Sequence, residues 1–140
     1  MTGLEALQEV LAGEHAAVYG YGVVGARLVG GPDERSAVSG WDTHRARRAA
    51  VSALVSAAGA EPTPAAAGYE LGGPVADAEQ ARALAARIEQ RAAATYADLV
   101  GAVNGAVRSS AAGWLTDAAV RAAGWSGQPQ TFPGLPPSGG

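Results

Sequence analysis

The chain contains no cysteine and no lysine, one phenylalanine, one methionine, and no long apolar run. Without cysteine there can be no disulfide, no thiolate metal site and no cysteine nucleophile. That absence also suits the cytoplasm, which is the expected location. Without lysine, all ten basic residues are arginine, and against 13 acids they leave a formal charge of −3. So mild an acidity offers no electrostatic footprint for nucleic acid, and no nucleic-acid partner is expected. The weakly polar stretch 16–28 holds three glycines and reaches Arg27, too short for the roughly 20 apolar residues of a membrane span. The opening Met1-Thr2-Gly3-Leu4-Glu5 has neither the basic region nor the apolar core of a signal peptide. A soluble protein with no membrane partner is expected.

What the sequence does contain is alanine, glycine and helical periodicity. Its 140 residues suit one domain with a core of its own. Thr2-x-x-Glu5 reads as a capping box, followed by Leu4, Leu7, Leu11, Val18, Tyr21 and Leu28 at three- and four-residue steps. That predicts a helix over 3–29, closed by Gly30-Gly31-Pro32. A second helix over 34–59 carries Val38, Trp41, Val51, Leu54 and Val55. A Pro/Gly-rich connection over 61–75 is long enough to cross an end of a bundle. Asp77-x-x-Gln80 opens a third helix over 77–103, with Leu84, Ile88, Ala92, Tyr96, Leu99 and Val103 on one stripe. Asn104-Gly105 turns into a fourth over 106–124, carrying Val107, Trp114, Leu115, Ala118 and Ala122. Long amphipathic helices of matched length pack side by side, so the fold class is all-α, an antiparallel four-helix bundle. Residues 128–140 read as a Pro/Gly-rich tail, whose Phe132 and Leu135 could strap onto the bundle.

Several charged residues occupy slots on the apolar stripes. Glu14 lies midway between Leu7 and Tyr21. His44 follows Trp41 by three and precedes Val51 by seven, Arg48 follows His44 by four, and Glu89 borders the stripe of Ala85, Ala92 and Tyr96. Each is costly to bury alone. One way to satisfy them is a metal ion. Di-iron bundles use a Glu on each of two helices and Glu-x-x-His on the other two. Here Ala12 stands three before His15 and Trp41 three before His44, so no Glu-x-x-His exists. A mononuclear transition-metal site of Glu14, His44 and Glu89 remains as an alternative. The preferred reading is a buried polar cluster of Glu14, His44, Arg48 and Glu89, with Arg48 taking the place of a cation and Tyr21 or Tyr96 adding hydroxyls. No cofactor is then expected.

Other patterns carry less. Gly20-x-Gly22-x-x-Gly25 matches a dinucleotide fingerprint but follows a helical stripe and not a strand, so it reads as small residues at a helix crossing. His15, next to Glu14, should face solvent or a partner. Ser109-Ser110 has no base beside it. A small-ligand pocket lined by Trp41, Tyr21 and Trp114 is a further option. The catalytic set is empty.

Three segments, Glu14-His15-Ala16-Ala17-Val18-Tyr19-x-Tyr21-Gly22-Val23-Val24-Gly25-Ala26, His44-Arg45-Ala46-Arg47-Arg48 and Leu115-Thr116-Asp117-Ala118-Ala119-Val120-Arg121, together with the Phe132-to-Pro136 tail, resemble the actinobacterial ferritin-like domains of unknown function. The resemblance implies a ferritin-like antiparallel bundle. It does not bring iron chemistry with it, because the Glu-x-x-His pair is missing. The expectation is a non-catalytic structural or interaction module, a homodimer, with a divergent metal-binding protein as the alternative.

Overall fold

The computed structural model describes residues 1–127; the tail and its Phe132–Leu135 strap lie outside them. Four helices make up most of this span: α1 Gly3–Arg27, α2 Glu34–Ala57, α3 Ala78–Ala102 and α4 Gly105–Ser126. Among the described residues there is no strand. Local chemistry sets the starts of α1 and α3. The Thr2 hydroxyl accepts the Glu5 N–H at 3.1 Å while the Glu5 carboxylate accepts the Thr2 N–H at 2.7 Å. Asp77 accepts the Gln80 N–H at 2.8 Å. Each contact satisfies an amide that the first turn leaves without a partner.

α1 packs against α2 and α3, and α3 packs against α4. Tyr21 meets Gly40 and Glu14 meets His44, so α1 and α2 run antiparallel. His44 meets Glu89 and Arg47 meets Tyr96, so α2 and α3 run parallel. Parallel neighbours in sequence require a connection running the length of the bundle, about 36 Å for a 24-residue helix. The segment after α2 provides it. Near one end the Gln8 side chain donates to the Glu61 carbonyl at 2.8 Å and accepts the Thr63 N–H at 2.9 Å. Farther along, the Tyr69 ring rests against Tyr19, with centroids 5.5 Å apart. At the far end Arg27 donates to the Val75 carbonyl at 2.9 Å. The connection therefore lies along α1 and does not cross an end, because α3 begins at the end opposite to where α2 stops.

The interior divides into two apolar halves. One holds Leu7, Val10, Leu11, Val51, Val55, Tyr96 and Leu99. The other holds Tyr21, Val24, Leu28, Leu84, Ala85 and Ile88. Val38, expected on the inward stripe of α2, is 51% exposed. Ala37 and Gly40 face inward instead, since the closest approach between α1 and α2 has no room for a larger side chain. A Cβ on Gly40 would lie 2.4 Å from Tyr21 Cζ. Of the three fingerprint glycines, only Gly20 sits at a crossing, where a Cβ would lie 2.6 Å from Ile88 Cδ1. Gly22 and Gly25 have nothing within 4 Å.

These contacts separate two substitutions that look alike in sequence. Gly40→Ala must displace a buried tyrosine ring and should cost about 2–3 kcal/mol by urea unfolding. Gly22→Ala meets open space within a helix and should gain about 0.5–1 kcal/mol.

Candidate functional site

Between the two apolar halves lies a layer of polar side chains drawn from three helices. Glu14 of α1, His44 of α2 and Glu89 of α3 are at most 2% exposed. His44 Nδ1 lies 2.6 Å from Glu14 Oε2, and His44 Nε2 lies 2.6 Å from Glu89 Oε1. A ring that donates from both nitrogens, one to each carboxylate, is an imidazolium. Burial pushes the His44 pKa down, but the hydrogen bonds and charges of Glu14 and Glu89 outweigh it and hold the value up at about 9.

The outer oxygens of the two carboxylates are also occupied. Tyr96 of α3 donates its hydroxyl to Glu14 Oε1, and Tyr21 of α1 donates to Glu89 Oε2 at 3.3 Å. Burial first, and then the adjacent carboxylate charge, raise both phenols well above their ordinary range. They therefore act only as neutral donors. The arrangement has an internal two-fold pattern. Glu14 and Tyr21 stand seven apart on α1, as Glu89 and Tyr96 do on antiparallel α3, and each tyrosine serves the other helix's glutamate, with His44 in the middle. α4 adds a tryptophan beside each phenol. Trp125 Nε1 donates to the Tyr21 hydroxyl at 3.0 Å, and Trp114 packs against the Tyr96 ring at 5.8 Å.

One flank carries the layer toward the surface. Arg47 donates to the Tyr96 hydroxyl at 3.3 Å and to Asp117 of α4 at 2.6 Å. Asp117 also accepts from Arg121 at 2.9 Å, and Arg121 reaches Thr43 at 3.0 Å. Half-burial of Asp117 favours its neutral form, but the two guanidiniums outweigh that and lower its pKa. Glu14, Glu89, His44 and Arg47 together sum to zero formal charge.

The structure thus brings Glu14, His44 and Glu89 together and corrects the fourth member of the expected cluster. Arg48 is half-exposed and takes no part; Arg47, 8% exposed, does. At about 100° per residue, the three-residue step from His44 turns toward α4 and Asp117, whereas the four-residue step turns the other way, toward the side of Trp41. His15, expected to face solvent or a partner, instead lies 2.9 Å from the Thr63 carbonyl and ties down the long connection. Tyr21, Trp41 and Trp114 do not form a common pocket: the first two belong to one apolar half and Trp114 to the other. Asp117 stood out in the sequence only as the single carboxylate of the fourth helix, without a partner, and Trp125 gave no signal. The matched seven-residue Glu–Tyr spacings on α1 and α3 were there to be read.

The sequence pattern of the domain of unknown function DUF4439 matches residues 6–137. The chain belongs to that family. It is also similar to a conserved hypothetical protein, rv2844, from Mycobacterium tuberculosis, whose crystal structure superposes with a TM-score of 0.84 at 36% identity. The match covers 89% of this chain and 94% of that one. No functionally curated protein matches significantly. Among the described residues, no helix is long and apolar enough to cross a membrane.

Two outcomes follow. The folded-state pKa of His44 lies above its ordinary value of 6.5, so its contribution is complete below about pH 6.5 and lost as pH rises through about 9. Unfolding free energy should fall by roughly 3 kcal/mol across that window, and the slope should vanish in His44→Gln. Separately, Arg47→Met should destabilise by about 2–3 kcal/mol, while Arg48→Met should change stability by less than about 0.5 kcal/mol in the same denaturant assay.

Proposed function

We propose that the protein is a ferritin-like bundle acting as a non-catalytic structural or interaction module, whose centre is closed by a proton-bridged layer in place of metal ions. The helix order, with one long crossover between parallel α2 and α3, supports the ferritin-like part, as do the two glutamates on α1 and α3 at mid-height. The observation carrying the non-catalytic reading is that both nitrogens of His44 and all four carboxylate oxygens already have partners. Nothing in the layer is left over to bind or activate a substrate, and its members are sealed from solvent.

The same residues test the fit of a metal. An ion about 2 Å from a histidine nitrogen and a carboxylate oxygen holds those atoms roughly 3 Å apart or more, whereas each pair here is 2.6 Å apart. Glu14 and Glu89 also engage opposite ring nitrogens, so one ion cannot take both beside His44. Among the described residues, no group of three or more potential ligands is arranged to hold a metal ion. The second reading, a mononuclear site of Glu14, His44 and Glu89, would need the layer to rearrange and His44 to lose a proton. The interaction role we assign is self-association as a homodimer.

Elemental analysis of protein purified without chelator should give less than about a tenth of an equivalent of any transition metal. A stoichiometric metal lost in His44→Gln would establish the second reading instead. Light scattering at micromolar concentration should report a mass near twice 13.9 kDa; a monomer would remove the dimer.

A further inference from the structure

Away from the central layer, the long connection roofs a cavity of about 90 Å³ on the outer face of the α1–α3 pair. Its floor is apolar and made by omission: Gly13 and Ala17 of α1 leave a hollow against Leu84, Ile88 and Ala92 of α3. A Cβ on Gly13 would touch only the Thr95 hydroxyl, at 3.9 Å. The roof is fixed on two sides. Arg87 donates to the Leu71 carbonyl at 3.0 Å, and Tyr69 is held by the Tyr19 ring and by the Ala66 N–H at 2.8 Å. Such a hollow stays open because the groups that could fill it are tied elsewhere.

Two residues of opposite charge, Arg91 and Glu70, also line it. They are not paired with each other, and neither makes an ion pair or hydrogen bond with another described residue. The wall formed by α3 therefore offers the solvent-exposed, unpaired guanidinium of Arg91 at the mouth of a small apolar hollow. A cavity of about 150 Å³ accommodates benzene, so one of about 90 Å³ takes roughly four carbons.

We propose that this cavity binds a small aliphatic carboxylate, its branched carbon chain in the hollow and its carboxylate on Arg91. That chemistry is shared by short branched fatty acids and by aliphatic amino acids. In the amino acids an α-ammonium would reach Glu70. The site is separate from the Glu14–His44–Glu89 layer, and either conclusion stands if the other fails.

Titration of the isotope-labelled full chain with leucine, isocaproate and isoamylamine, followed by amide NMR, tests it. Leucine and isocaproate should shift the Gly13, Gly20 and Ala92 amides with Kd on the order of a millimolar; isoamylamine, which lacks the carboxylate, should not. Tighter binding of leucine than isocaproate, lost in Glu70→Gln, assigns the amino-acid form, and equal binding assigns the free acid. Arg91→Gln should weaken binding by about tenfold or more. Gly13→Leu fills the hollow from an open helical position and should abolish binding while the spectrum stays folded. Absence of shifts with both carboxylates, or shifts insensitive to Arg91→Gln and Gly13→Leu, overturns the proposal.

Discussion

A protonated imidazole between two buried carboxylates governs how this bundle is put together. Taking Glu14, His44 and Glu89 out of water carries a desolvation cost of several kcal/mol per charge, recovered only when the partners meet at hydrogen-bonding distance. The 2.6 Å contacts on both sides of the His44 ring meet that condition. Because the three side chains come from three helices, the condition also fixes how far each helix slides past the others. Alanine-rich helices need such a device. Small side chains leave shallow grooves, and the apolar halves alone discriminate weakly between neighbouring registers. A one-residue slip of α1 against α3 would part Tyr96 from Glu14 and Tyr21 from Glu89 together.

The layer's surroundings follow from the same constraint. Three charges alone would sum to −1, and Arg47 brings the group to neutrality through the Tyr96 hydroxyl and Asp117. α4 contributes few buried residues, namely Ala111, Ala118 and Ala122. Its attachment combines broad packing against α3, to which Val107 and Leu115 contribute, with contacts of Asp117, Arg121, Trp114 and Trp125 to the layer or its flank. The geometry that satisfies the charges also closes the centre, because every acceptor and donor there is occupied. The cavity under the connection has the opposite character, an apolar hollow with two solvent-exposed charges, Arg91 and Glu70, at its edge.

The four helices were legible because Leu, Val and Tyr recur on α1 and α3 at helical steps, and because Thr2, Asp77 and the Pro/Gly clusters punctuate them. The inward placement of Glu14 and His44 was legible for the same reason: a charge on an otherwise apolar stripe has to be satisfied inside. The choice between Arg47 and Arg48 was not. Three- and four-residue steps straddle the same face, and only the position of α4 separates them. Val38 was misplaced because hydropathy rewards the larger residue, while the tight approach of Tyr21 demands Ala37 and Gly40. Nor could composition show that the connection runs lengthwise along α1. Its path is decided by His15 and Gln8 capturing Thr63, contacts between residues about fifty positions apart.

The account stands on the protonation state of one ring. Nitrogen NMR of His44 at neutral pH reads it directly, since a protonated and an unprotonated ring nitrogen resonate far apart. Both nitrogens should appear as N–H, each with a proton shifted downfield by its short hydrogen bond to a carboxylate. A single unprotonated His44 nitrogen in the folded protein at that pH would contradict the bridged layer.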